Sequence, residues 1–321
     1  MSHNRFCIGL CPQLNPKRCL IPKVIPKPSN VAKINRSSLS SIVIVQNPDS
    51  STTYYLELGD RSSETLLLLH GIGADHGMWQ PQMQTYADAG FHVLIPDLFG
   101  HGQSSKLTTP QLSSWHNQIN WLLAHLAIET CTIIGVSMGG VIAQSFVVNY
   151  PNVVTRLIVA DSFGELRTPQ EKLLGFSQII GFNLFKLLGK QLLAKSICQT
   201  YRASYARMAQ DYFGQVSLKA DLQQLILARK AINRIDVLQR LQTITVPALI
   251  IVGKDLGESF ISINQKIANA LPNSELVILE QSMDPSNLVN PSGFDHQVLT
   301  FLNSETTSKE QSQPSTPYSP S

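Results

Sequence analysis

Acid is missing from the start of this chain. Residues 1–48 contain no Asp or Glu, yet carry Arg5, Lys17, Arg18, Lys23, Lys27, Lys33 and Arg36 among several prolines and the serine-rich stretch "NRSSLSS". An acid-free leader with Arg and Ser admits an organellar transit peptide, but its prolines suit an amphipathic targeting helix poorly. A disordered basic tail is the simpler expectation. No continuous apolar segment of the secretory type is present, and no apolar run reaches the roughly 18–20 residues of a membrane span. Cysteine is sparse: Cys7, Cys11, Cys19, Cys131 and Cys198 are odd in number and show no paired spacing. That excludes a disulfide framework and argues against a structural metal site. The thiols read as incidental and the compartment as reducing and cytoplasmic, with organellar import through the basic extension as the alternative. Charge is low as well, at 15% of residues with a net +3, too little to argue for nucleic acid as a partner. The last stretch, residues 303–321, is apolar-poor and rich in Ser, Thr and Pro, and is expected to be a disordered tail.

What remains is a body of alternating pattern. The runs "TTYYLEL", "TLLLLHG", "FHVLIPDL", "CTIIGVS", "TRLIVADS", "PALIIVGKD" and "ELVILE" are short, β-branched or Leu-rich, and several end in Gly, Asp or Ser. Continuous apolar runs of this length suit strands buried on both faces of a parallel sheet. Helix-like segments separate them near residues 110–127, 138–150, 260–271 and 291–302. Strand–helix alternation predicts an α/β fold with a doubly wound, mostly parallel sheet. Residues 164–241 interrupt the rhythm with amphipathic pieces and no strand, which predicts a helical cap inserted into a core of residues 49–163 and 242–302.

The most informative stretch is "IIGVSMGGVIAQSF", with the pattern G-x-S-x-G at Gly135, Ser137 and Gly139. It lies between a strand-like and a helix-like run, the context in which such a pattern makes a nucleophile elbow. The turn would lift the Ser137 hydroxyl out of the sheet and aim the free N–H groups of the next helix at developing negative charge. On these residues the chain resembles the α/β-hydrolase superfamily, over about residues 54–302. "LLLLHGIG" looks like the family's strand and His-Gly turn, and "IPDLFGHGQSS" like its Asp-x-x-Gly-His-Gly segment. "MWQPQM" falls where a helix-starting Trp is usual. The resemblance implies that the N–H groups of Ile72 and Met138 form the oxyanion hole, with Ser137 as nucleophile. It assigns His70, Gly71, Asp97, Gly100, His101 and Gly102, with Gly135 and Gly139, to structural motif roles, and it implies no cofactor. His76 and His116 have no motif support.

A serine nucleophile needs a base, and the base an orienting acid. The resemblance places the acid three residues past the Gly of "ALIIVG", where Leu256 stands; Asp255 is one residue early and becomes the candidate. Asp161, at the end of "LIVADS", is a second. The base should follow the last strand in a Gly-His pair. Counting back from the helix start at Pro291-Ser-Gly-Phe294, that pair is replaced by Met283-Asp284. A free Asp, near 3.9 in pKa, is a poor base for a serine hydroxyl at neutral pH, though an apolar pocket or a neighbouring carboxylate raises it. His296 lies more than about 15 Å downstream along a helix, at 1.5 Å per residue.

Two functions therefore stand open. One is a serine hydrolase acting on an ester or related acyl bond of a small, largely apolar substrate held under the cap, with an atypical triad. The other is a catalytically inactive binding or adaptor protein on the same fold. Lys186, Lys190 and Lys195 beside an apolar helix face also admit peripheral contact with an anionic membrane. The ordinary expectation is a cap helix packed on the core with its lysines in solvent.

Overall fold

Four consecutive leucines show how this sheet is built. Leu67 and Leu69 belong to one apolar layer, with Ile133, Val141 and Trp115. Leu66 and Leu68 belong to another, with Ile134, Trp79 and Phe294. The period-2 alternation of a strand thus feeds two cores, one on each side of the sheet, and a run with no polar residue is what such a strand requires.

The computed structural model describes residues 41–310. All of them fall in one compact unit, Ser38–Ser321. Eight strands form one sheet: β1 (Ser41–Gln46), β2 (Thr52–Leu58), β3 (Thr65–Leu69), β4 (His92–Pro96), β5 (Cys131–Val136), β6 (Val154–Ala160), β7 (Ala248–Gly253) and β8 (Ser274–Leu279). Their order is β1-β2-β4-β3-β5-β6-β7-β8. Pairing is antiparallel at β1–β2 and β2–β4 and parallel from β4 onward. This is the doubly wound, mostly parallel sheet that the alternating pattern predicts.

The helices are α1 (Gln80–Asp88), α2 (Leu112–His125), α3 (Met138–Asn149), α4 (Pro169–Leu188), α5 (Lys190–Thr200), α6 (Arg207–Lys219), α7 (Leu222–Ile232), α8 (Leu238–Leu241), α9 (Glu258–Ala270), α10 (Ser286–Val289) and α11 (Pro291–Glu310). Five of them, α4 to α8, lie between β6 and β7, in the interval expected to hold the cap. Helix α4 starts on a capping box in which Thr168 and Glu171 satisfy each other's backbone N–H groups. An isolated bridge from Glu165 to Asp236 joins the two ends of the inserted segment.

Two expected boundaries move. Residues 41–46, assigned to the basic extension, form edge strand β1, because "SIVIVQ" is β-branched and pairs along its whole length with β2. Residues 303–310, assigned to the tail, continue α11, since a helix once nucleated adds a hydrogen bond with each further residue. Residues 1–40, with Cys7, Cys11 and Cys19, and residues 311–321 lie outside the described residues. Among the described residues, no helix is long and apolar enough to cross a membrane.

Candidate active site

Strand order reverses next to β3. The chain runs from β3 to β4 on one side and then to β5 on the other, so the C-terminal ends of β3 and β5 flank a crevice, the usual ligand position in an open α/β sheet. The turn after β3 supplies Gly71 and Ile72, and the turn after β5 supplies Ser137.

Ser137 adopts φ +53° and ψ −114°, a conformation that non-glycine residues rarely hold. Its surroundings enforce it. The Ser137 N–H donates to Ala160 O at 2.8 Å, while its carbonyl accepts from Val141 N at 3.1 Å and Ser162 Oγ at 2.9 Å. A Cβ on Gly139 would sit 2.1 Å from Leu69 O, and one on Gly135 2.3 Å from Gly139 O. Only glycine lets the strand, the turn and α3 pass this closely. Met138 is the first residue of α3, where N–H groups lack intrahelical partners. Among the described hydrogen bonds, neither the Ile72 nor the Met138 N–H has a protein acceptor.

Across from this turn, the Ser137 hydroxyl donates to Asp284 Oδ2 at 2.8 Å. Asp284 sits in the connection between β8 and α10, where Tyr201 Oη from the inserted helices donates to its backbone carbonyl at 2.7 Å. The following residues are tied down from far away. Ser286 N–H donates to Asp161 Oδ2 at 2.7 Å, and Gly253 N–H to Asp161 Oδ1 at 2.9 Å. Asn287 donates to Met78 O at 3.0 Å, and Gln82 to Asn287 O at 3.1 Å.

Burial first, and the charge of Asp161 second, push the Asp284 carboxyl up to about 8; the Ser137 hydrogen bond and the Arg229 cation work in the opposite direction. Arg229 is 4% exposed, and its guanidinium lies 5.2 Å over the Phe163 ring. Burial lowers it to about 10, so it remains cationic at neutral pH. Asp161 is itself raised by burial. Asp284 thus stands where the resemblance places an imidazole, with Asp161 bonded to the same connection and the Arg229 charge acting on it from the inserted helices.

Asp255 requires a correction. Its backbone N–H donates to Ser282 O at 2.9 Å, and its exposed carboxylate takes the Tyr205 phenol hydrogen bond; it reaches neither Ser137 nor Asp284. The cause is the short 3-10 turn at Lys254–Leu256, which closes directly after β7 and faces the side chain outward. The carboxylate whose charge raises Asp284 is the other sequence candidate, Asp161.

Among the described residues, no histidine hydrogen-bonds Ser137. His70 donates from Nδ1 to Gly71 O at 2.8 Å and accepts from Leu98 N–H on Nε2 at 3.0 Å, so both nitrogens hold loops. His101 packs edge-on against His70, and burial drives it down to about 3. His76 pairs with Asp97, whose carboxylate also accepts from Gln103 N–H at 2.7 Å and so folds the turn containing Gly100 and Gly102. His116 is buried against Phe146 and Tyr150, and His296 is exposed on α11.

Ser137 and Asp284 open into a cavity of about 370 Å³. Ile72, Met78 and Pro285 line it from the core, and Phe182, Phe185, Leu193 and Phe213 from the inserted helices. Tyr201 and Arg229 were not picked out from sequence. Neither belongs to a motif, and the only signal for Arg229 was a basic residue inside an apolar helical repeat, "LILARKAI".

Residues 64–196 match the family described as alpha/beta hydrolase fold. The chain is 25% identical over 252 residues to 3-oxoadipate enol-lactonase 2 of Acinetobacter baylyi, covering 77% of this chain and 92% of that protein. It is also 25% identical over 267 residues to a pimeloyl-[acyl-carrier protein] methyl ester esterase of Vibrio atlanticus, covering 78% and 98%. Among solved structures, an esterase from Exiguobacterium antarcticum superposes with a TM-score of 0.73 at 21% identity, over 82% of this chain and all of the other.

Proposed function

The chain belongs to the α/β-hydrolase superfamily, and we propose that it is a serine hydrolase of ester or related acyl bonds in which Asp284 takes the place of the general base. The observation that carries this reading is the 2.8 Å hydrogen bond from the Ser137 hydroxyl to Asp284 Oδ2, at the floor of an apolar cavity. A carboxyl held near 8 differs from a free Asp in the one property the reaction needs. Its ionised form is far more basic and falls in the range from which enzymes draw general bases.

In the first half-reaction, Ser137 Oγ attacks the acyl carbon while ionised Asp284 accepts the hydroxyl proton. The N–H groups of Ile72 and Met138 hold the oxyanion. Collapse of the tetrahedral intermediate expels the alkoxide, which takes the proton back from the Asp284 carboxyl. Water, deprotonated by the same carboxylate, then releases the acid and restores Ser137. Arg229 favours the charged form of Asp284 at each return. The cavity lining supports a largely apolar acyl group, and the ester and lactone substrates in the names of the two relatives are consistent with that bond type.

A second reading has its own observation. With a carboxyl at about 8, only about a tenth of Asp284 is ionised at pH 7. A protein working there would carry a Ser137 that is mostly unactivated, which suits a ligand-binding protein on a hydrolase fold.

Labelling by a fluorophosphonate probe across pH 6 to 9.5 separates the two. The hydrolase reading expects labelling at Ser137 that rises with pH to a plateau with its midpoint near 8, vanishes in Ser137→Ala, and falls by roughly a hundredfold or more in Asp284→Asn. A folded protein left unlabelled over that whole range would establish the binding reading instead.

A further inference from the structure

Helix α4 carries two apolar faces, and only one is covered. Gly181, Phe182 and Phe185 turn inward and line the cavity. On the opposite side, Leu173, Phe176, Ile180, Leu184, Leu187 and Leu188 are 67%, 59%, 66%, 49%, 84% and 54% exposed. Steps of three and four residues from Leu173 to Leu187, with Leu188 beside the last, place them in one stripe along about four turns of helix. Single exposed leucines are ordinary on a protein surface; an uninterrupted row of large apolar side chains is not.

Along α4 and α5 themselves the exposed charge has one sign, the nearest exposed acid being Asp221 at the start of α7. From Thr168 through α5, the basic residues are Lys172, Lys186, Lys190 and Lys195, and the one acid, Glu171, is buried and tied to Lys266. An apolar stripe edged by lysine, on helices with no exposed carboxylate of their own, is the pattern of a helix lying in a lipid interface, with its apolar face among the acyl chains and its cations at the headgroups. A second copy of the chain fits the same surface poorly. A two-fold contact sets the patch against itself and brings the lysine edges together.

We propose that the outer face of α4 docks on an anionic lipid surface, so that the helix whose inner face lines the cavity is itself seated at the membrane. The source of an apolar substrate would then be the bilayer. Docking does not depend on turnover, so failure of the hydrolase reading leaves it standing.

The test is co-sedimentation of the full chain with vesicles of phosphatidylcholine alone, or with about a third phosphatidylserine, at low and high salt. The expected result is binding to the anionic vesicles that weakens in high salt. It should fall roughly tenfold or more in Ile180→Glu/Leu187→Glu, and similarly in Lys186→Gln/Lys190→Gln/Lys195→Gln. Melting temperature, fluorophosphonate labelling and hydrolysis of a short water-soluble ester should match the parent in both variants. Three results overturn the proposal. One is no binding to either vesicle; another is binding that survives the double glutamate variant, which would assign it to the basic N-terminal residues. The third is a dimer of the parent chain that the glutamates convert to monomer, which would make the stripe a contact between copies.

Discussion

The turn at Ser137 depends on small residues beside it in the chain, packed close against the neighbouring strands, whereas Asp284 opposite it is held by residues remote in sequence, none of them marked by a local motif. The elbow takes its shape from Gly135, Gly139 and the start of α3, with Ser162 as a brace from the next strand end. The Asp284 connection is fixed by Asp161, by Tyr201, and by Met78 and Gln82, drawn from three separate parts of the chain. A turn enforced locally needs particular small residues at fixed spacing, and so announces itself as a motif. One enforced by distant partners can change its chemistry, here from the expected histidine to a carboxylate, while the partners keep its shape. The contrast explains how an intact G-x-S-x-G turn coexists with a carboxylate where the resemblance places a histidine.

The largest expected effect is on the locally built side. Gly139→Ala sets a methyl against Leu69 O, where the nearest atoms are backbone and cannot swing away. It should cost about 2–4 kcal/mol in urea unfolding, more than any single change in the Asp284 connection. Next comes a change of base. Asp284→His installs an imidazole of ordinary pKa about 6.5, so the midpoint of the labelling profile should move below 7. Labelling at pH 7 should then rise by up to about tenfold over the parent. A profile still centred near 8 would show that some group other than residue 284 sets it.

Asp284 also links function to stability, with a sign that can be checked. Its folded-state pKa lies above the unfolded value, so between about 4 and 8 the native chain binds more protons than the unfolded one. Its contribution to stability is therefore fully present at the acid end and is lost as pH rises through that window. Asp284→Asn should remove this slope, and unfolding at pH 5 and pH 8 should show the variant gaining on the parent as pH rises. Asp161→Asn should act more gently. Removing the second-largest push on Asp284 moves the labelling midpoint to lower pH by a few tenths of a unit or more, while the weakened anchor to Ser286 costs about 1 kcal/mol.

The same contrast governs what could be read before the structure. Strands β2 to β8, helices α2, α3, α9 and α11, and the elbow follow from periodicity and glycine spacing, because those signals are local; β1 and α1 do not stand out in the same way. The replacement at Asp284 was legible by counting back from Pro291. Its partners were not. Nothing in "LILARKAI" marks Arg229 as the cation working against Asp161, and nothing marks Tyr201 as the residue holding the Asp284 carbonyl. Both belong to the inserted helices, whose docking depends on side-chain fit rather than on a repeating pattern. Position in a motif also misled: Asp255 lies one residue from the expected acid, and a single 3-10 turn suffices to send it to Tyr205.

The smallest expected effect sharpens the comparison as much as the largest. If the acid were set by closeness to the motif position, Asp255→Asn would remove the orienting group of the site, and labelling would drop by orders of magnitude. The structure instead gives Asp255 an exposed carboxylate whose partner is a phenol on the inserted segment. Losing that charge leaves the Ser137–Asp284 bond untouched. The amide oxygen still accepts from Tyr205, so stability should change by no more than about 0.5 kcal/mol. The labelling profile should keep its plateau and its midpoint within error, with Asp161→Asn shifting it in the same experiment. A profile that moves in Asp255→Asn and stays fixed in Asp161→Asn would reverse the assignment of the two carboxylates.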